Sequence, residues 1–350
     1  MPTATADRCG YRLEVGLRDP DASAETCDRP TWDDHGRCVW HAPVDGKGVD
    51  DFADAAPEPG AVLDGAYLRE ASLVGVEWFA GTSLVGADLR GAVVNGADFE
   101  GADMTLANLT DCSAIGADFT GATLEGVVFA NADLRRATLA HTLTNEAVFS
   151  DVHIGNGTEF SPVSAYEREP VEPTLSDDHP LEAAAWTYRQ LRRLYRDNAL
   201  PGLARDSYNR EKDARRRLAW SRGDRLTALK WELSRWVMHY GSSPYRVLAA
   251  SLLAVVVSAV LFPLTGGILE IQGERAITYQ IEDPGDAPPW WIGRVLFKSL
   301  YFSVVTFATL GYGDIQPVGA WARLLAGTLS IVGSLLSALL VFVLARIVTW

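Results

Sequence analysis

At 350 residues the chain is long enough for two or three domains, and its charge is divided along its length rather than mixed. Residues 1–180 carry 32 Asp and Glu against 11 Lys and Arg, residues 181–244 carry 7 against 14, and residues 245–350 carry 6 against 6. An acidic half, a basic connector and a near-neutral apolar end exclude one globular domain. No nucleophile–base–acid set accompanies them, so an enzyme is not expected.

The first 30 residues are polar and lack an apolar stretch with a cleavage site, so the N-terminus is expected to stay on the side where it is made. Four cysteines in such a compartment read as thiols or metal ligands rather than disulfides. Cys9, Cys27, Cys38 and His41 are the candidate metal ligands, in a small module over residues 1–50. Cys38-Val39-Trp40-His41 has the two-residue spacer that lets adjacent ligands grip one tetrahedral zinc (Zn2+); the 17-residue gap after Cys9 is loose, and His35 is a spare ligand.

Residues 61–160 repeat. From Phe79 to Ile154 fourteen of sixteen residues at a spacing of five are large and apolar, and the residue two before is Ala in ten of them. Leu63, Leu68 and Leu73 run one residue out of phase, a single insertion. A period of five fits neither an α-helix nor an alternating strand. Large apolar residues are expected to fill an axis, with small ones at inner corners and Asp, Asn, Thr and Arg facing water. Cys112 stands in the small slot as a packing residue. The pattern, as in Ala87-Asp88-Leu89-Arg90-Gly91, resembles the pentapeptide-repeat family. That resemblance implies a right-handed quadrilateral β-helix, of roughly five coils and 24 Å here at about 4.8 Å per coil.

After an acidic, Pro-rich linker from Pro162 to Pro180, residues 179–244 read as a basic helical linker. Leu181, Ala185, Tyr188, Leu191 and Tyr195 share one helical face, residues 198–202 break the helix, and a third helical stretch runs from Thr227 to Tyr240. Its basic residues are expected to form a collar against anionic lipid. Residues 245–350 hold two uncharged runs of 22 residues, Val247 to Ile268 and Leu324 to Ala345, each long enough to cross a bilayer. Arg246 and Arg346 at their far ends place both ends in the cytoplasm, with Trp290, Trp291 and Trp321 at the outer interface and Trp350 at the inner one.

Between the runs lie an acidic turret (Glu270, Glu274, Glu282, Asp283, Asp286, Pro288, Pro289) and an apolar helical stretch, Val295 to Ala308, that reads as too short to span and therefore re-entrant. Thr309-Leu310-Gly311-Tyr312-Gly313-Asp314 follows. Extended backbone at membrane depth is tolerable only where its carbonyls are buried or face a wet cavity. Rings of carbonyls from Thr309, Leu310, Gly311 and Tyr312, with the Thr309 hydroxyl, suit a dehydrated potassium ion (K+). Gly311 and Gly313 can take positive φ and so turn successive carbonyls to one axis. Tyr312 is expected to buttress from outside, and Asp314 to concentrate cations at the mouth. The hexapeptide and the helices around it look like the two-transmembrane potassium channels. Gly333 lies where that family often has a gating hinge; Leu310, Ala308 and Val305 depart from its commonest residues.

The expected protein is therefore multidomain: a β-helix, a helical linker, and an all-α two-transmembrane pore domain with a re-entrant pore helix. It is expected to act as a homotetramer in the lipid bilayer of the cell membrane, with both termini cytoplasmic, an unidentified cytoplasmic regulator and no nucleic-acid partner. The alternatives are a nonselective cation pore and a membrane-tethered repeat protein that binds partners by mimicking DNA.

Overall fold

The computed structural model describes residues 8–13, 26–58, 60–168, 171–272, 275–281 and 288–348. They form two compact units, Met1–Arg225 and Leu226–Trp350.

In the first unit the repeat sets the architecture. From Val62 onward bridge partners lie 20 or 21 residues apart and pair in parallel: Val62 with Ser83, Asp88 with Asn108, Asp118 with Thr138. Each coil thus takes about twenty residues, and its amides bond the carbonyls of the next, as in Leu84 N to Asp103 O at 2.7 Å. Parallel pairing of one coil on the next makes a β-helix. The insertion between Leu73 and Phe79 is absorbed in a coil of 21, after which the spacing settles to 20. Only at the far end does pairing lengthen into two short strands, β1 (Thr138–Leu139) and β2 (Glu159–Phe160).

Every fifth side chain from Phe79 to Leu139 is at most 1% exposed, including Ala114, so the period is an inward-facing column. Phenylalanines twenty residues apart stack face to face: Phe79 on Phe99 at 4.9 Å, Phe99 on Phe119 at 5.0 Å, Phe129 on Phe149 at 5.3 Å. Those spacings match the ~4.8 Å separation of paired strands, so ring stacking and backbone pairing satisfy one geometry. A second column, two residues after the first, turns each corner with positive φ. Between Gly65 and Asp151 ten of these residues are Gly, but Glu70, Leu106, Asp111, Asn131, Arg136, His141, Glu146 and Asp151 take the same conformation with a Cβ, at about 1 kcal/mol each.

The far end of the column is covered by helices. A single turn, α1 (Ala165–Arg168), buries Tyr166, and α2 (Pro180–Asp197) packs against α3 (Pro201–Ser221). Pro180 and Pro201 each open a helix, where their missing N–H is not needed. Phe160 meets the edge of Tyr195, and the Asn198 side chain accepts from Ile154 N and donates to Val152 O, so the last coil's backbone is satisfied by a side chain. Thr144, one of the two exceptions in the apolar column, donates to Thr187 on α2.

The Pro-rich linker is not a free tether. Glu125 is 1% exposed and accepts from the Tyr166 hydroxyl at 2.5 Å and from Thr174 N at 2.6 Å, strapping the linker onto the coils. Nor is the basic connector a uniform collar. Arg189, Arg192 and Arg215 converge on buried Glu211, and Arg217 pairs with Glu167. Much of its charge neutralises carboxylates within the unit.

The second unit begins with α4 (Arg225–Met238) and α5 (Pro244–Leu261). α5 stops short of the uncharged run, for Ile268 starts a strand. Strands β3 (Ile268–Gln272) and β4 (Arg275–Tyr279) form a hairpin, α6 (Pro289–Phe307) follows, and β5 (Ile315–Pro317) returns to pair antiparallel with β3 before α7 (Gly319–Val348). The unit is therefore not all-α. The turret reading fails at Glu270, which sits in the central strand, 7% exposed; Glu274, Glu282, Asp283, Asp286 and Trp350 lie outside the described residues. α6 also starts six residues earlier than expected, on the helix-opening pair Pro288-Pro289. At 19 residues, or roughly 28 Å, it is not short; Arg294 and Lys298 are what set it apart from a span.

Pro244–Leu264 and Gly319–Ile347 are long and apolar enough to cross a membrane, and only 33% and 22% of their apolar windows are buried within the chain. Core helices of a soluble domain would be covered. Arg246 donates to Arg235 O at 2.9 Å and Arg346 to Tyr240 O at 3.1 Å, tying the start of α5 and the end of α7 to one stretch, residues 235–240.

The stacked column generates a first expectation. Phe99→Ala should cost about 3–5 kcal/mol by removing one ring from two stacks. Arg90→Ala, at an exposed pair with Asp88, should leave the unfolding midpoint unmoved. Denaturant unfolding of the detergent-solubilised chain measures both.

Candidate functional site

Two places concentrate chemistry. The first is at the start of the β-helix. Backbone pairing of Cys9 N with Arg29 O at 2.9 Å, Gly10 N with Cys27 O at 2.9 Å and Cys27 N with Tyr11 O at 2.8 Å lays the first cysteine beside the second, closing the loose gap that sequence spacing left open. A tight turn, with His41 N and Ala42 N both bonded to Cys38 O, brings Cys38 and His41 onto them. The four ligand atoms lie within 4.8 Å of one another. Cys9 Sγ to His41 Nδ1 is 3.5 Å, Cys38 Sγ to His41 Nδ1 is 3.3 Å, and Cys27 Sγ to Cys38 Sγ is 3.8 Å. A tetrahedron with bonds of ~2.3 Å to sulfur and ~2.05 Å to nitrogen has edges of about 3.8 Å between sulfurs and about 3.5 Å between sulfur and nitrogen. The side chains thus hold the edges of a tetrahedral Cys3His site. His35 is not among them; it packs against Trp32.

The surroundings fix this arrangement. His41 Nε2 meets Asp64 O at 3.0 Å, which leaves Nδ1 for a metal, and Tyr11 stacks on the imidazole at 4.2 Å. Burial pushes His41 down to about 4, so the ring is neutral, and burial together with the Cys27 charge pushes the Cys38 thiol up to about 12. Cys38 therefore keeps its proton until a metal displaces it. Lys47, 1% exposed and lowered to about 8 by burial, donates to Ala42 O at 2.7 Å and Tyr67 O at 2.6 Å, and Arg29 donates to Val62 O at 2.9 Å. Ligand turn and first coil are bound by these contacts.

The second place is the loop between α6 and β5. α6 ends at Phe307 with Ala308 as its cap, and Leu310 N still reaches Val305 O at 3.0 Å, so the loop leaves directly from the helix C-terminus. Thr309, Gly311 and Gly313 have φ of 57°, 51° and 79°, alternating with Leu310 and Tyr312, which do not. Sequence reasoning anticipated the glycines but not Thr309, a β-branched residue for which positive φ is a genuine outlier. Such strain, of order 1–3 kcal/mol, persists where the surroundings impose it. Asp314 accepts from the Tyr301 hydroxyl at 3.1 Å, and its carbonyl accepts from Ile271 N at 3.2 Å. Leu310 and Tyr312 are 57% and 67% exposed in the single chain, so the loop's covering must come from elsewhere.

Residues 268–349 match the ion channel family model, and residues 79–111, 102–142 and 115–151 match that of the pentapeptide repeats, in eight copies. The chain joins pentapeptide repeats to an ion channel domain. No curated protein matches it. Among solved structures it is similar to a pentapeptide repeat protein of the Arabidopsis thaliana thylakoid lumen, at 24% identity over 36% of this chain and 88% of that one, with a TM-score of 0.24. It is also similar to one from Nostoc, at 23% identity over 34% of this chain and 98% of that one, with a TM-score of 0.23.

Within the ion channel domain Gly333 lies inside the unbroken α7, and a Cβ there would come within 2.2 Å of Phe307 O. Its small size lets α7 touch the end of α6, next to the loop. In the pentapeptide repeats Cys112 is 2% exposed and burial pushes its thiol up to about 12, which makes it packing rather than chemistry.

The Cys/His geometry predicts a metal content. The purified chain should carry about one zinc per subunit, and Cys38→Ser should lose it. Elemental analysis of both proteins checks this; a wild-type value near zero would leave the cluster as thiols alone.

Proposed function

We propose that this chain is one subunit of a potassium-selective channel that conducts through a filter formed by Thr309, Leu310, Gly311, Tyr312, Gly313 and Asp314. The observation that carries the reading is the alternation of positive φ through Thr309, Gly311 and Gly313, at the C-terminal end of α6. A strand so alternated presents its carbonyls in one direction, and carbonyl rings are what replaces the hydration shell of potassium. The negative end of the α6 dipole adds to the attraction for a cation. One chain supplies one such strand, so the pore is a homotetramer, whose other members would cover Leu310 and Tyr312.

The path of the chain supports a re-entrant pore helix. It leaves the sheet after β4, runs through α6 and the filter, and returns to β3 of the same sheet as β5. α6 and the filter therefore start and finish on one side, while α5 and α7 cross. The shared stretch at residues 235–240 holds the start of α5 and the end of α7 together, which supports a reading in which both face the cytoplasm of a cell-membrane protein.

The four-part division, residues 1–50, 61–160, 179–244 and 245–350, then has a functional sense. A zinc-bound module opens a right-handed quadrilateral β-helix, whose four bridge-bearing positions per coil support a four-sided section. Helices α2 to α4 link this regulatory or scaffold domain to the pore. Because α2 and α3 pack with the β-helix side of the chain, the cut that separates regulator from pore belongs at residue 225 rather than 180. Gly333, packed on α6 behind the filter, would let α7 movement be felt there. A ligand can shift a closed–open balance only by its differential affinity for the two states, so the regulator is expected to bind the first unit.

Liposomes containing the purified chain should pass potassium far faster than sodium; equal fluxes would replace this reading with a nonselective pore. Gly311→Ala, which loses the freedom for positive φ, should abolish potassium flux while leaving a folded oligomer. A chain starting at residue 226 should keep selective flux but change open probability or its response to cytoplasmic ions. Identical responses would make the first unit an assembly or localisation device.

A further inference from the structure

The ion channel domain contains a part-buried ion pair that the sequence pattern did not suggest. Lys298 on α6 places Nζ 2.7 Å from Glu270 Oε1 on β3, and the Tyr279 hydroxyl on β4 donates to Glu270 Oε2 at 2.7 Å. The Glu270 side chain is 9% exposed and that of Lys298 25%. Tyr279 is itself fully buried, stacked on Trp291 of α6 at 5.7 Å with the Arg294 guanidinium 5.8 Å from its ring. The hairpin is thus fastened to the outer half of α6 by charge, hydrogen bond and ring contact together.

Glu270 is also the residue of β3 that pairs with Ile315, and the next amide, Ile271 N, bonds the carbonyl of Asp314. Its backbone therefore lies one residue from the end of the Thr309–Asp314 loop, and its side chain grips the helix from which that loop begins. Nearer the loop the Tyr301 hydroxyl donates to Asp314 at 3.1 Å, while Val305 and Ala308 carry no side-chain hydrogen-bonding group. Yet Thr309 is held in a conformation that a β-branched residue avoids, which requires its ends to be fixed.

We propose that Lys298 and Glu270 are positioning residues for the filter: a part-buried cross-brace that holds the two ends of the loop at the separation at which its carbonyls face one axis. This rests on the potassium-channel reading given above. The pair touches no permeant ion. It acts through α6 on Thr309 and through β3 and β5 on Asp314. A charge pair suits this duty because Glu270, its side chain 9% exposed, loses its compensating charge when Lys298 is removed or displaced.

The test uses the full chain in liposomes, with potassium and sodium fluxes measured beside oligomeric state and thermal unfolding. Glu270→Gln keeps the shape and the Tyr279 bond but loses the charge; Lys298→Met keeps the length. Both are expected to assemble as the unsubstituted chain does and to lose at least about tenfold in the potassium-to-sodium flux ratio. Lys298→Arg, which keeps the charge, should recover most of that ratio. Assembled variants with an unchanged ratio would overturn the proposal. So would failure of every variant, Arg included, to assemble, since the pair would then serve folding rather than the filter. Equal fluxes through the unsubstituted chain would overturn the potassium reading itself, whereas a selective parent with indifferent variants would overturn the brace alone.

Discussion

Backbone amides and carbonyls must be paired or solvated, and each unit meets that demand differently. In the first unit the chain winds so that each coil bonds the next, which satisfies the middle and leaves two open ends. The second unit pairs the backbone beside the loop through α6, β3 and β5, and in the proposed channel the carbonyls from Thr309 to Tyr312 would be left to a cation. One rule produces both a closed scaffold and an acceptor-rich strand.

The two ends of the β-helix are finished by different chemistry. At one end the Cys/His turn presents Trp40 O to Tyr67 N, while Lys47 and Arg29 donate to coil carbonyls. The other end uses Asn198 and the ring of Tyr195 on α2. So short an N-terminal module has little apolar area to stabilise itself, and its Cys/His cluster offers a metal site that would add cohesion.

Much of this was legible because it is periodic or local. The column from Phe79 to Leu139 declares itself at a spacing of five, and Cys38 and His41 lie within one turn. The corner column was missed, because eight of its residues are not glycine and so carry no signal. Pairing of Cys9 beside Cys27 depends on backbone bonds across a long loop, which spacing does not encode. Glu270 looked like part of an exposed acidic run because its partners, Tyr279 and Lys298, are 9 and 28 residues away. Glu125 and Glu211 show the same dependence: a carboxylate's burial is decided by where distant donors arrive, as the arginines of α2 and α3 do at Glu211. Thr309 was legible as an oxygen donor but not as a strained turn, since its φ is imposed from the loop's anchored ends.

The finished ends of the β-helix have a consequence for crowding in the membrane. A stack of parallel coils is an edge on which any similar edge can grow, and blunting such edges is how sheet proteins avoid joining their neighbours. Each copy has two such edges, and any assembly of copies multiplies them. With Trp40 O committed to Tyr67 N, and Ile154 N and Val152 O to Asn198, each stack is terminated at both ends. Opening of the Cys/His turn would bare a template at one of them, and with it a route by which scaffolds could pair edge to edge.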